Sequence, residues 1–108
     1  MTLWEELKAY CLGFEGVEEA FPWDHHDFRV NGKTFVFTSG DRASIHITAK
    51  PLPENRELFL QLPGVKVAAY VGRFGWLSME VKDQATLEVA KDMIAESYAG
   101  MAPKKKKH

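Results

Sequence analysis

Apolar residues recur along this chain with two periods, and the switches between them mark its elements. Leu3, Trp4, Leu7, Tyr10 and Cys11 share one helical face, and Thr2 and Glu5 have the spacing of a capping box, which predicts a helix over about 3–12. Gly13 and Gly16 bracket a turn. Val17 to Trp23 has extended character but contains Pro22, which has no N–H for a central ladder, so an edge or loop segment is expected. Period two follows. Phe28-Arg29-Val30 and Thr34-Phe35-Val36-Phe37-Thr38 flank Asn31-Gly32-Lys33, and Asn-Gly favours a hairpin because both residues tolerate positive φ. Ser39-Gly40-Asp41 reads as the next turn, leading into Ala43 to Thr48, whose alternation fits a third strand with one wet face.

Pro51 and Pro53 end that strand, and Glu54 to Leu62 predicts a short helix with acids in its first turn, closed by Pro63-Gly64. Val65 to Val71 and Trp76 to Val81 are β-rich and joined by Gly72-Arg73-Phe74-Gly75, which predicts a second hairpin with Arg73 at its tip. Asp83 opens a long helix carrying Leu87, Ala90, Met93, Ile94, Ser97 and Tyr98 at helical spacing, until Gly100 and Pro103 stop it. The order is α-β-β-β-α-β-β-α. An α+β fold is expected, with a single antiparallel sheet of about five strands packed on helices by one face.

With 108 residues, one domain over 1–103 is expected, followed by a flexible basic tail at 104–108. A hydrophobic share of 45% argues against disorder, and no apolar run is long enough to span a membrane. Acidic residues stand in the first six positions, where a secretory signal would be basic, so a cytoplasmic location is expected. Cys11 is the one cysteine, which rules out an intrachain disulfide, and it reads as a small core residue.

Charge is uneven. Residues 1–28 hold seven acids against Lys8, whereas residues 29–82 hold eight bases against four acids. Without Lys104 to Lys107 the remaining chain stands at −5, so the body is acidic. Nucleic-acid candidates are Arg29, Lys33, Arg42 and Lys50 beside the three-stranded meander, and Arg73 on the second hairpin with Phe74 and Trp76 near it. The same bases, dispersed among acids, also describe an ordinary solvated sheet. Asp24-His25-His26-Asp27 contains four residues able to bind a metal. Adjacent side chains of an extended segment point apart, however, and His46 would join them only if the third strand lay alongside, so no metal and no cofactor is expected.

No catalytic residue emerges. Cys11 has acidic neighbours, the serines Ser39, Ser44, Ser78 and Ser97 lack a nucleophile-elbow context, and Gly72 to Gly75 lacks the spacing of a phosphate loop. A non-enzymatic binding protein is the expectation.

An ordered set of short motifs resembles the MmcQ/YjbR family of small bacterial proteins over nearly the whole chain. These are Tyr10-Cys11, Gly16-Val17, Glu19, Phe21-Pro22-Trp23, Phe28-Arg29-Val30, Gly32-Lys33-Thr34-Phe35, Lys50-Pro51, Tyr70 to Trp76, Glu96-Ser97-Tyr98 and Ala102-Pro103 before the basic tail. The resemblance implies an α-β(3)-α-β(2)-α fold, similar to that of small secretion chaperones, and DNA binding as the function. It brings no catalytic residues. The alternative from another class is a protein-interaction or chaperone-like module that works through a sheet edge or a homodimer interface, with no membrane partner.

Overall fold

The first helix forms over Leu3–Leu12 (α1), opened by the expected capping box: Thr2 Oγ1 accepts from the Glu5 amide at 3.1 Å, and the Glu5 carboxylate accepts from the Thr2 amide at 2.9 Å. The structure is a computed structural model that describes residues 2–20, 26–41, 44–68 and 75–101. After α1 come β1 (Glu18–Ala20), β2 (Asp27–Val30), β3 (Lys33–Asp41), β4 (Ser44–Ala49), a 3₁₀ turn (Pro53–Asn55), α2 (Arg56–Leu60), β5 (Lys66–Val67), β6 (Leu77–Val81) and α3 (Gln84–Met101). The α+β class and the single antiparallel sheet are as expected, but the sheet has six strands in the order β1-β2-β3-β4-β6-β5. The additional strand is β1, which takes the edge beside β2.

Asn31 and Gly32 adopt positive φ (54° and 75°) and close the β2–β3 hairpin. Two boundaries differ from expectation. Ser39-Gly40-Asp41 continues β3 instead of turning, because β4 pairs with it as far as Asp41 opposite Ser44, and sheet pairing overrides the local turn preference. β5 is confined to Lys66–Val67, and the rest of the expected 65–71 strand lies partly outside the described residues. The short helix of 54–62 begins as a 3₁₀ turn with Pro53 in its first position.

Between Phe28 and Arg29 the β2–β3 register slips by one residue: Phe28 faces Val36, but Arg29 faces Thr34. Phe35 is therefore the extra residue of a bulge, and it and Val36 are both fully buried where strict alternation would expose one of them. Phe28, Val36, Ile45, Ile47, Leu77, Met79 and Val81 form the apolar face of the sheet, covered by Leu7 and Cys11 of α1 and by Leu87, Ala90, Met93 and Ile94 of α3. Phe35 packs under Phe14 and Tyr98, whose rings lie 4.5 Å apart. α3 starts at Asp83, whose carboxylate accepts from the Thr86 amide at 2.8 Å and is held below the usual carboxylate range by that bond.

Candidate functional site

The face of the sheet opposite α1 and α3 is built by the other half of each strand's alternation. Register places Asp27, Phe37, Thr48, Ser78 and Lys66 in one row across β2, β3, β4, β6 and β5. Among the described residues no helix crosses this row. Phe37 and Trp76 are half-buried there and meet edge to face, with ring centroids 5.3 Å apart. Gly75 precedes Trp76 with a φ of +97° that suits glycine, and the Lys50 chain lies in ordinary contact distance of it, a Cβ there standing 3.5 Å from Lys50 Cε. Beside the rings the Thr48 and Ser78 hydroxyls share a hydrogen bond of 2.8 Å. The row thus offers two aromatic rings, two hydroxyls and, at one end, an exposed ammonium.

The candidate bases divide. Arg29 is exposed on this face, directly across from Glu18. Lys33 is exposed opposite Val30 at the hairpin end, which places it on the helix-bearing side. Lys50 follows β4 and stands next to Gly75, close to Trp76. Arg42, Arg73 and Phe74 lie outside the described residues, as do Asp24 and His25. The site therefore joins Arg29, Lys50 and Trp76 but leaves Lys33 apart. Phe37, Thr48, Ser78 and Lys66 belong to it and are not singled out by the sequence. The signal that finds them is the bulge at Phe35, since without it Phe35 and Phe37 would share a face.

The row continues into a cleft of about 600 Å³ that wraps the edge of β6 toward the start of α3, lined by His46, Lys66, Glu80 and Lys82 with Leu62, Val65 and Val89. His46 faces Glu80 across β4 and β6. α1 carries two acids in its first turn, and exposed Glu88 and Asp92 add to the negative charge on the helical side.

Nucleophiles are committed elsewhere. Cys11 is fully buried, and that burial, with the Glu19 carboxylate nearby, pushes its thiol up to about 12, so it stays protonated at neutral pH. His26 pairs with Glu19, which also receives Lys8 Nζ at 3.4 Å, and Trp4 lies against the imidazole. Among the described residues no group of three or more His, Cys, Asp or Glu is placed to hold a metal.

Glu96, Ser97 and Tyr98 form a structural clamp. The Glu96 carboxylate accepts from the Leu52 amide and from Asn55 Nδ2, at 2.9 and 2.7 Å. Ser97 Oγ donates to the Phe35 carbonyl at 2.6 Å and accepts from the Lys50 amide at 3.1 Å, bridging β3 and the residue after β4 just beyond Val36–Ala49, the last pair of their ladder. Tyr98 donates to the Glu15 carbonyl at 2.7 Å. Three consecutive residues of α3 thus tie down three separate segments.

A crystal structure of a protein from Pseudomonas syringae, a structural-genomics target, superposes with a TM-score of 0.67 at 18% identity, covering 86% of this chain and 93% of that one, which establishes the shared fold. No curated protein matches the sequence. Among the described residues no helix is long and apolar enough to cross a membrane. The YjbR family model matches residues 12–99, a span that includes every described strand and the Glu96-Ser97-Tyr98 clamp, and the chain belongs to the YjbR family.

Proposed function

We propose that this protein is a non-enzymatic nucleic-acid-binding module whose contact surface is the helix-free face of the sheet. The observation that supports it is the Phe37–Trp76 pair, set in a row of residues that ends at Lys66 and has Arg29 two strands from Thr48 on the opposite side. Rings offer contact area to bases, and the flanking cations attract phosphates. Salt dependence of binding is the test, measured by anisotropy with mixed-sequence oligonucleotides, both duplex and single-stranded. Affinity falls as salt rises, and Arg29→Ala with Lys66→Ala flattens the log–log slope by about 2, roughly one per phosphate contact. Lys91→Ala, on α3 beside Glu6 and Glu88, leaves the slope unchanged. Absence of binding at about 50 mM salt, or equal losses from Lys91→Ala, rules the reading out.

A second reading, protein interaction through the β5 edge, is favoured by one observation. β5 is only two residues long, and Val67 on it is 50% exposed, as are Leu58 (62%) and Leu62 (38%) in and just after α2. Light scattering over a concentration series separates the two. A dimer that Val67→Lys dissociates supports the edge, and a monomer throughout removes self-association from consideration.

A further inference from the structure

We infer that the nucleic acid received by the helix-free face is single-stranded, held by unpaired bases stacked on Phe37 and Trp76. The inference rests on the nucleic-acid reading above and narrows its ligand class. Width is the first reason. Six strands at roughly 4.8 Å spacing make a surface about 24 Å across, whereas a major groove of about 12 Å admits a helix or a two-stranded ribbon. Phe37 stands on β3 and Trp76 adjoins β6, both interior strands, so no edge ribbon carries the pair into a groove. A base held in a duplex cannot reach rings that lie on a broad sheet. An unpaired base can lie on them.

Charge is the second reason. On this face Arg29 lies across from Glu18 and His46 from Glu80, which leaves Lys66, opposite the Ser78 hydroxyl, as the ladder base among the described residues of the face that has no acid across from it. Duplex binding draws its affinity chiefly from neutralising many phosphates, and the described residues of this face supply few bases for that. Stacking does not depend on net charge and tolerates any base. The hydroxyls of Thr48 and Ser78 sit beside the rings, within reach of the edge of a stacked base or of a ribose 2′-hydroxyl.

The test uses the full chain and fluorescence anisotropy with four probes: oligothymidylate of about twelve nucleotides, the matching oligouridylate, an abasic backbone of equal length and a hairpin duplex. Oligothymidylate is expected to bind at least about tenfold more tightly than the abasic and duplex probes. The oligouridylate arm ranks RNA against DNA, and tighter oligouridylate binding with the same abasic deficit supports the inference equally. Trp76→Leu drops oligothymidylate to the abasic level, while Trp76→Phe stays within about threefold of the parent. Phe37→Leu is the second variant and keeps the test decisive if Trp76→Leu unfolds; melting curves identify that case. Equal binding of the abasic or duplex probe overturns the stacking inference and leaves the nucleic-acid reading standing. Unchanged binding by folded Trp76→Leu and Phe37→Leu overturns the platform. If no probe binds, both readings fall together.

Discussion

On the helix-bearing side of the sheet Phe35 is fully buried beneath Phe14 and Tyr98, whereas Phe37, two residues further along the same strand, lies half-buried on the opposite side against Trp76. One bulge separates them. The region around Phe35 is dense with committed groups: the Ser97 hydroxyl donates to the Phe35 carbonyl, and Glu96 and Tyr98 bind other segments. Around Phe37 the Thr48–Ser78 hydroxyl bond is part-buried, and Asp27, opposite Phe37 in the register, is buried. Burial and full hydrogen bonding mark the first region as architecture. Partly exposed aromatic surface beside hydroxyls and a lysine distinguishes the second, and the proposed contact surface rests on it.

Phe35→Ala should produce the largest effect, a loss of about 3–5 kcal/mol in urea denaturation, as for a fully buried aromatic whose cavity cannot collapse. Phe37→Ala should cost under about 2 kcal/mol, because less area leaves water and the site is already open on one side. If the two losses are equal, the distinction between the faces fails. Ser97→Ala should cost about 1–3 kcal/mol, since it leaves a buried carbonyl and a part-buried amide without their shared partner. Tyr98→Phe should cost about 1 kcal/mol by removing one hydrogen bond while keeping the ring packing.

The smallest effect at neutral pH is at Cys11. Its folded-state thiol value is about 12, against about 8.5 for an ordinary thiol. The unfolded chain therefore deprotonates first as pH rises. The stabilisation from the protonated thiol is complete below about pH 8.5 and is lost progressively as pH rises toward 12. Cys11→Ala should flatten this alkaline decline relative to the parent, and at pH 8 the parent thiol should react with an aromatic disulfide only as fast as the chain unfolds. Rapid modification of the native protein would contradict the burial.

Elements fixed by local chemistry are readable in the sequence. Thr2 with Glu5, Asp83 at the start of α3, and Asn31-Gly32 each define their own termini or turn, and the structure places α1, α3 and the first hairpin where those residues put them. Features fixed by pairing at a distance are not. Ser39-Gly40-Asp41 has turn composition, yet β4 lies alongside and holds it in the ladder. The bulge is equally hidden, because nothing in Thr34 to Thr38 distinguishes a regular strand from one with an extra residue. That single slip decides whether Phe37 joins the core or the site. Of the candidate residues, Trp76, Arg29 and Lys50 were legible as exposed or terminal positions. The row from Phe37 through Thr48 and Ser78 to Lys66 exists only once four strand registers are set. Glu96-Ser97-Tyr98 was legible as a motif, and its meaning became clear only from the three segments it binds.

The contrast between the faces is tested most directly by amide and indole NMR shifts of the full chain during titration with oligothymidylate at low salt. Shifts concentrated at Phe37, Thr48, Trp76, Ser78 and Lys66, with Leu87 to Tyr98 of α3 silent, are the predicted result. Shifts centred on α1 or α3, or none at saturating oligonucleotide, would contradict it.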